Sequence, residues 1–169
     1  SLIQSESGGD WNALNGEGYG GRLQFGEDRL LDAYRAGVLP YAMSGEEFAS
    51  LRPEDQARVE QWHFADIDQQ LGSYVGTSVA GIPMTRDAIR AVAHLGGIDG
   101  ARQFIESGGT YDPADSNGTR LSDYARRHGG GSLSSASSSS SAAWLTYANR
   151  DATRNDPLAP ALVNALSFL

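Results

Sequence analysis

The sequence predicts a mainly helical fold, all-α or α+β with a very small β element near Gly18 to Phe25. Three observations carry this. Apolar residues recur at helical spacing through most of residues 1–128, and strand-like alternation is scarce. The periodic segments end at glycines and are joined by short connections. A single polar, Gly-rich loop, Asp10 to Gly18, interrupts them near the start.

The elements follow in order. Ser5 to Ser7 reads as a short helical turn that ends at Gly8-Gly9, because glycine tolerates the backbone angles that terminate helices. Glu27 to Arg35 places Leu30, Leu31 and Tyr34 on one face, with Gly37 as its stop. Ser44-Gly45-Glu46-Glu47 is a capping box that opens a short helix through Leu51. Pro53 suits a first helical position. The longest helix runs from there to Leu71, with Val59, Trp62, His63, Ile67 and Leu71 inward, and Gly72 ends it. Residues 73–84 read as irregular or weakly extended. Thr85 caps a helix through about Leu95 that Gly96-Gly97 stops. Asp99 caps another, with Ala101, Phe104 and Ile105 inward, ending at Gly108-Gly109. Leu121 to His128 is the last helix of the body.

From Gly129 to Ala143 the composition changes to Gly and Ser, which cannot bury a core and reads as a flexible linker. Residues 144–169 form a tail whose Leu158, Leu162, Val163, Leu166 and Leu169 share one helical face. That face is expected to fold back on the body or to dock on a protein partner. The organisation is therefore a body over 1–128, a linker over 129–143 and a helical tail over 144–169.

Composition bounds the function. The chain has 169 residues, 40% hydrophobic and 20% charged, which suits one globular domain with or without an appendage. It has no cysteine, so disulfides and thiolate metal sites are excluded. The net charge of −8 argues against a basic nucleic-acid surface. The same charge disfavours a freely diffusing enzyme on an anionic surface, and disfavours less one held by a larger assembly. No run of apolar residues is long enough to span a membrane, and no signal peptide is read. The chain begins at Ser1 and not at Met, which reads as a mature product or an excerpt lacking an upstream helix.

Few constellations carry chemistry. His63, His94 and His128 show no metal-ligand spacing. Asp112 to Gly118 hints at a calcium loop, but alignment on Gly118 puts Pro113 and Tyr124 where oxygen ligands belong, so it reads as a turn. A second Glu-Ser-Gly-Gly at Glu106 to Gly109 reads as a helix end, and no larger repeat is evident. No cofactor motif is present. The pattern of interest is Glu6-Ser7-Gly8-Gly9 followed by Gly20-Gly21-Arg22-Leu23-Gln24-Phe25. A carboxylate at a helix end, in an apolar setting supplied by Leu2, Ile3, Trp11, Leu23 and Phe25, suits a general acid with a raised pKa.

This pattern resembles the lysozyme-like superfamily, and in particular the lytic transglycosylases. There a Glu-Ser pair at a helix end is followed, at this distance, by Gly-Leu-Met-Gln. Here Gly21-Arg22-Leu23-Gln24 occupies that place, with Arg-Leu for Leu-Met. Gly20 to about Gly37 is also similar to phage-derived muramidase domains. Ala93-His94-Leu95-Gly96-Gly97 lies where the family carries Ala-Tyr-Asn-Ala-Gly, so His94 and Leu95 depart from it. The resemblance implies cleavage of the bond between N-acetylmuramic acid and N-acetylglucosamine. Glu6 would be the general acid and then the base, with Ser7, Asp10, Tyr19, Gln24 and His94 at the substrate. It implies peptidoglycan glycan strands as partner, no cofactor, and a place in the periplasm, at the cell wall or in a phage virion. Asp10, the nearby second carboxylate, would support a hydrolytic variant. Two other readings stay open: a catalytically silent structural protein of a virion or secretion apparatus, and a carbohydrate-binding module using Trp11 and Tyr19.

Overall fold

In a computed structural model of the chain, residues 2–129 are described. The chain divides into two units, Ser1–Gly131 and Ser132–Leu169. The expected linker and tail lie, except for Gly129, outside the described residues.

The body is mainly helical with one minimal sheet. Six α-helices are present among the described residues: α1 Leu2–Ser7, α2 Glu27–Arg35, α3 Gly45–Ala49, α4 Pro53–Leu71, α5 Arg86–Glu106 and α6 Leu121–His128, with a 3-10 turn at Gly72–Tyr74. The local reasons are those in the sequence. Ser44 and Glu47 complete the capping box of α3. Pro53 starts α4. Thr85 accepts from the Ala88 amide at 3.1 Å to cap α5.

Three expectations need correction. The sheet is not at Gly18 to Phe25. It is the hairpin β1 Ser78–Val79 with β2 Ile82–Pro83, inside the stretch read as irregular or weakly extended. Residues 14–25 contribute only the isolated bridges of Gly20 with Leu14 and with Phe25. Second, Asp99 caps nothing. The backbone breaks at Gly97 alone (φ 74°, ψ 167°) and helix continues on both sides, so Asp99 falls in the first turn and pairs with Arg102. The Gly96 backbone meets the Leu121 side chain so closely that an added methyl would lie 2.7 Å from it, which seats α6 at the kink.

Third, the Glu-Ser-Gly-Gly repeat is longer than its four residues. Much of the loop from Gly8 to Gly20 has a structural counterpart 100 residues later, including the bonds from the Asp10 and Thr110 amides to the Ser7 and Ser107 carbonyls and from the Gly18 and Gly118 amides to those of Asn15 and Asp115. Gly8 and Gly9 have φ of 67° and 93°, and Gly108 and Gly109 have 64° and 86°. Asn15 Oδ1 accepts from the amides of Glu17 and Tyr19, and Asp115 Oδ1 accepts from those of Asn117 and Thr119. Gly18 and Gly118 have φ of 85° and 82°. The Leu14–Gly20 bridge is matched by Ala114–Arg120. After these loops the two copies part, into a tight turn at residues 21–24 and into α6.

Two apolar clusters lie along α4, one at Val59 near its start and one at Ile67 and Leu71 near its end. One gathers Leu23, Phe25, Leu30, Met43, Phe48 and Val59, with Leu2 and Ile3 of α1 against it. The other gathers Ile67, Leu71, Met84, Val92, Phe104 and Leu121. Phe64 packs on both.

The first loop is fixed by backbone packed on backbone. A Cβ at Gly20 would lie 1.8 Å from the Gly45 carbonyl oxygen, and one at Gly45 would lie 2.0 Å from that of Gly18. No side chain fits at either position. Gly20→Ala and Gly45→Ala should each lower the unfolding free energy by more than about 3 kcal/mol or prevent folding. Gly16→Ala, with nothing within 4 Å of the new methyl, should stay within about 0.5 kcal/mol of wild type. Urea unfolding of the three variants checks this.

Candidate functional site

The Glu6 side chain stands at the last turn of α1, half-buried. The phenol of Tyr124, in the first turn of α6, donates to Glu6 Oε1 at 2.6 Å. Tyr124 is 9% exposed. Burial and its bond to Glu6 push the phenol above its ordinary pKa, so it remains a donor across the physiological range. A hydroxyl both donates and accepts. Tyr124 therefore fits either protonation state of Glu6: it donates to the carboxylate and accepts from the acid. The His128 ring lies tilted at 58° to that of Tyr124 with centroids 5.2 Å apart, and its Nε2 lies 3.4 Å from Ser5 Oγ.

The segment from Gly20 to Phe25 closes the other side. Gly20 and Phe25 exchange both backbone hydrogen bonds, at 3.0 and 2.8 Å, and enclose a four-residue turn. Ser7 Oγ donates to the Arg22 carbonyl at 2.8 Å and accepts from the Gly9 amide at 3.1 Å. The residue after Glu6 thus ties the helix end to the turn. Arg22 reaches inward to α4, where its Nε and Nη2 hold both oxygens of Glu60 at 2.7 to 3.0 Å. Its guanidinium also lies 3.8 Å above the Trp11 ring. Burial pushes the Glu60 carboxyl up, and the bonds from Arg22 oppose that shift.

The remaining expected site residues divide. Gln24 carries its backbone in the left-handed region (φ 53°) and turns its amide back on the Gly21 carbonyl at 2.8 Å and that of Ala13 at 3.3 Å. Its Nε2 is thus committed to the turn itself. Tyr19 is 42% exposed and packs its ring edge against Gly26. Asp10 accepts from the Asn12 amide at 2.9 Å and shapes the loop as an Asx turn. The ring of His94 lies behind the turn and binds the Leu23 backbone. Glu106, the counterpart of Glu6, is exposed and accepts from Tyr74.

Two residues central to this arrangement escaped sequence reading. Tyr124 is 118 positions from its carboxylate, and nothing local marks it. Glu60 sits on the inward face of α4 among apolar residues. A buried Glu there is a signal only once a partner is sought for the odd arginine in Gly-Arg-Leu-Gln.

His94 belongs to a partly buried chain of polar side chains. Asp66 binds Arg29 at 2.6 Å, and Arg29 Nε donates to His63 Nδ1 at 2.9 Å. That leaves His63 Nε2–H to donate to His94 Nδ1 at 3.1 Å, and His94 Nε2–H for the Leu23 backbone. Burial holds both imidazoles neutral, His63 at about 2 and His94 at about 4, against an ordinary 6.5. The charge of Arg29 adds to both shifts. The unfolded chain therefore binds protons that the folded one does not between pH 6.5 and 4, and stability rises with pH across that window.

The melting temperature should accordingly fall by several degrees from pH 7 to pH 4. His63→Gln with His94→Gln, even at lower overall stability, should flatten that dependence. Scanning calorimetry in matched buffers measures both. No family model, curated protein or solved structure matches the chain.

Proposed function

We propose that the chain is a peptidoglycan-cleaving muramidase of the lysozyme-like superfamily, a lytic transglycosylase, with Glu6 as its acid and base. One observation supports this above the others: the half-buried Glu6 carboxylate at a helix end, held by the Tyr124 phenol and joined through Ser7 to the Gly-x-x-Gln turn. Glu6 protonates the glycosidic oxygen between N-acetylmuramic acid and N-acetylglucosamine. It then takes the proton of the muramyl 6-hydroxyl, whose oxygen closes on the anomeric carbon to give the anhydro product. Tyr124 fixes the carboxyl rotamer through both steps. The periplasm, the cell wall or a phage virion would be its place of action.

A second reading is favoured by a specific observation. The Gln24 amide nitrogen, Arg22 and His94 all spend their polar groups on the protein itself. That is what a silent lysozyme-like structural protein would show. The carbohydrate-binding reading is weaker, because the Trp11 ring is covered by Arg22.

Wild-type chain should release fragments from purified sacculi, and mass spectrometry should find anhydro-muramyl ends. Glu6→Gln should abolish release with folding intact, and Glu106→Gln should change little. Tyr124→Phe should retain the fold and lose about 10- to 100-fold in rate, on the order of a positioned hydrogen bond in a general-acid step. An inactive wild type that binds sacculi would favour the silent protein.

A further inference from the structure

The chain has no lysine, so its fixed side-chain cations are arginines. Among the described residues nearly all of them are committed. Nine hold carboxylates in ion pairs, Arg22 to Glu60 and Arg126 to Asp123 among them. Arg120 donates to the backbone carbonyl of Asp112 at 2.6 Å. Arg127 alone among the described arginines has neither an ion pair nor a hydrogen bond. Its guanidinium lies over the Tyr124 ring, 5.7 Å from the centroid. The phenol of that ring is the one that holds Glu6.

A helix C-terminus welcomes cations, and that accounts for a basic last turn in α6. It does not account for the difference between neighbours. Arg126 turns back to Asp123 on the surface of its own helix. Arg127 is exposed and lies on the Tyr124 side, in a protein of net charge −8. An unpaired guanidinium over the ring whose phenol holds Glu6 presents a planar fork suited to a carboxylate.

We propose that Arg127 is a specificity residue that binds a carboxylate of the substrate, so that the site selects glycan bearing acidic peptide substituents over neutral glycan. This rests on the muramidase reading above and names the part of the substrate that reading leaves open. The carboxylate is that of the lactyl-linked stem peptide on N-acetylmuramic acid, which departs from the sugar next to the scissile bond. His128 lies tilted beside the same ring and is partly buried, whereas Arg127 is exposed.

The test is binding, measured by titration calorimetry on the full chain carrying Glu6→Gln so that nothing is cleaved. The probes are a N-acetylglucosamine–N-acetylmuramic acid disaccharide with a free stem peptide and the same compound with its carboxyl groups amidated. Amidation should weaken binding about tenfold, the scale of one charge-assisted pair. With Arg127→Gln added, the two probes should bind alike. Arg127→Lys should keep most of the preference, and Arg126→Gln should leave it whole. Equal binding of the two probes, absence of binding, or a preference that survives Arg127→Gln overturns the proposal. If the preference is present and depends on Arg127 while wild-type chain releases nothing from sacculi, the cleavage reading fails and the recognition stands. If sacculi are cleaved without any preference, the recognition fails alone.

Discussion

Gly20 and Gly45 approach so closely that no side chain fits between them, and the geometry around Glu6 hangs on that approach. It sets the backbone of residues 20–25 against the start of α3. From there Leu23 and Phe25 drop into one apolar cluster, and Arg22 points at Glu60. The Arg22 carbonyl faces outward to Ser7. A turn shifted by one ångström would strand a buried carboxylate and lose its ties to α1. Such a buried pair is not a strong source of stability, because desolvation offsets most of the attraction. Its role here is positional: it selects one register of the loop on α4.

Behind the turn, the chain from Asp66 through Arg29, His63 and His94 to Leu23 works in the same way. Each donor faces one acceptor, and both histidines are neutral because burial makes charge costly. The position that the family resemblance assigns to a substrate contact is occupied by a residue that braces the backbone of the motif. Gln24 has done likewise with its amide. Around Glu6 these polar groups are engaged with the protein itself. Arg127, the described arginine without an ion pair or hydrogen bond, is on α6 over the Tyr124 ring.

The two loops related by 100 positions show how one local solution serves twice. Asn15 and Asp115 offer the same side-chain oxygen to two amides, and Gly18 and Gly118 take the left-handed angle that follows. Their tips touch, with Ser116 Oγ donating to Glu17 Oε1 at 3.2 Å. Beyond the loops the contexts diverge. Glu6 faces a largely buried tyrosine of α6, whereas Glu106 is exposed beside Tyr74. The same Glu-Ser-Gly-Gly therefore has two electrostatic settings, and the surrounding helices set the difference.

The sequence by itself determined what depends on neighbours within a few positions. Glycine stops, the Ser44 capping box, Pro53 and Thr85 placed the helices, and periodicity gave the mainly helical class, because caps and helical faces are read over one or two turns. The two-residue strands at 78–83 escaped, since so short a pairing leaves no alternation to detect. The loop repeat escaped because its shared feature is a hydrogen-bond pattern that Asn and Asp supply equally. The break at Gly96-Gly97 was legible, but the restart was set too late, at a cap on Asp99, because helix resumes directly after Gly97 without a capping side chain. Only the tertiary structure decided what touches Glu6. Tyr124 is 118 positions away, Glu60 is 38 positions from Arg22 and His94 is 31 from His63. Contacts at such separations follow from how α4, α5 and α6 pack, and packing is set by the summed shape of many side chains that no single stretch of sequence contains.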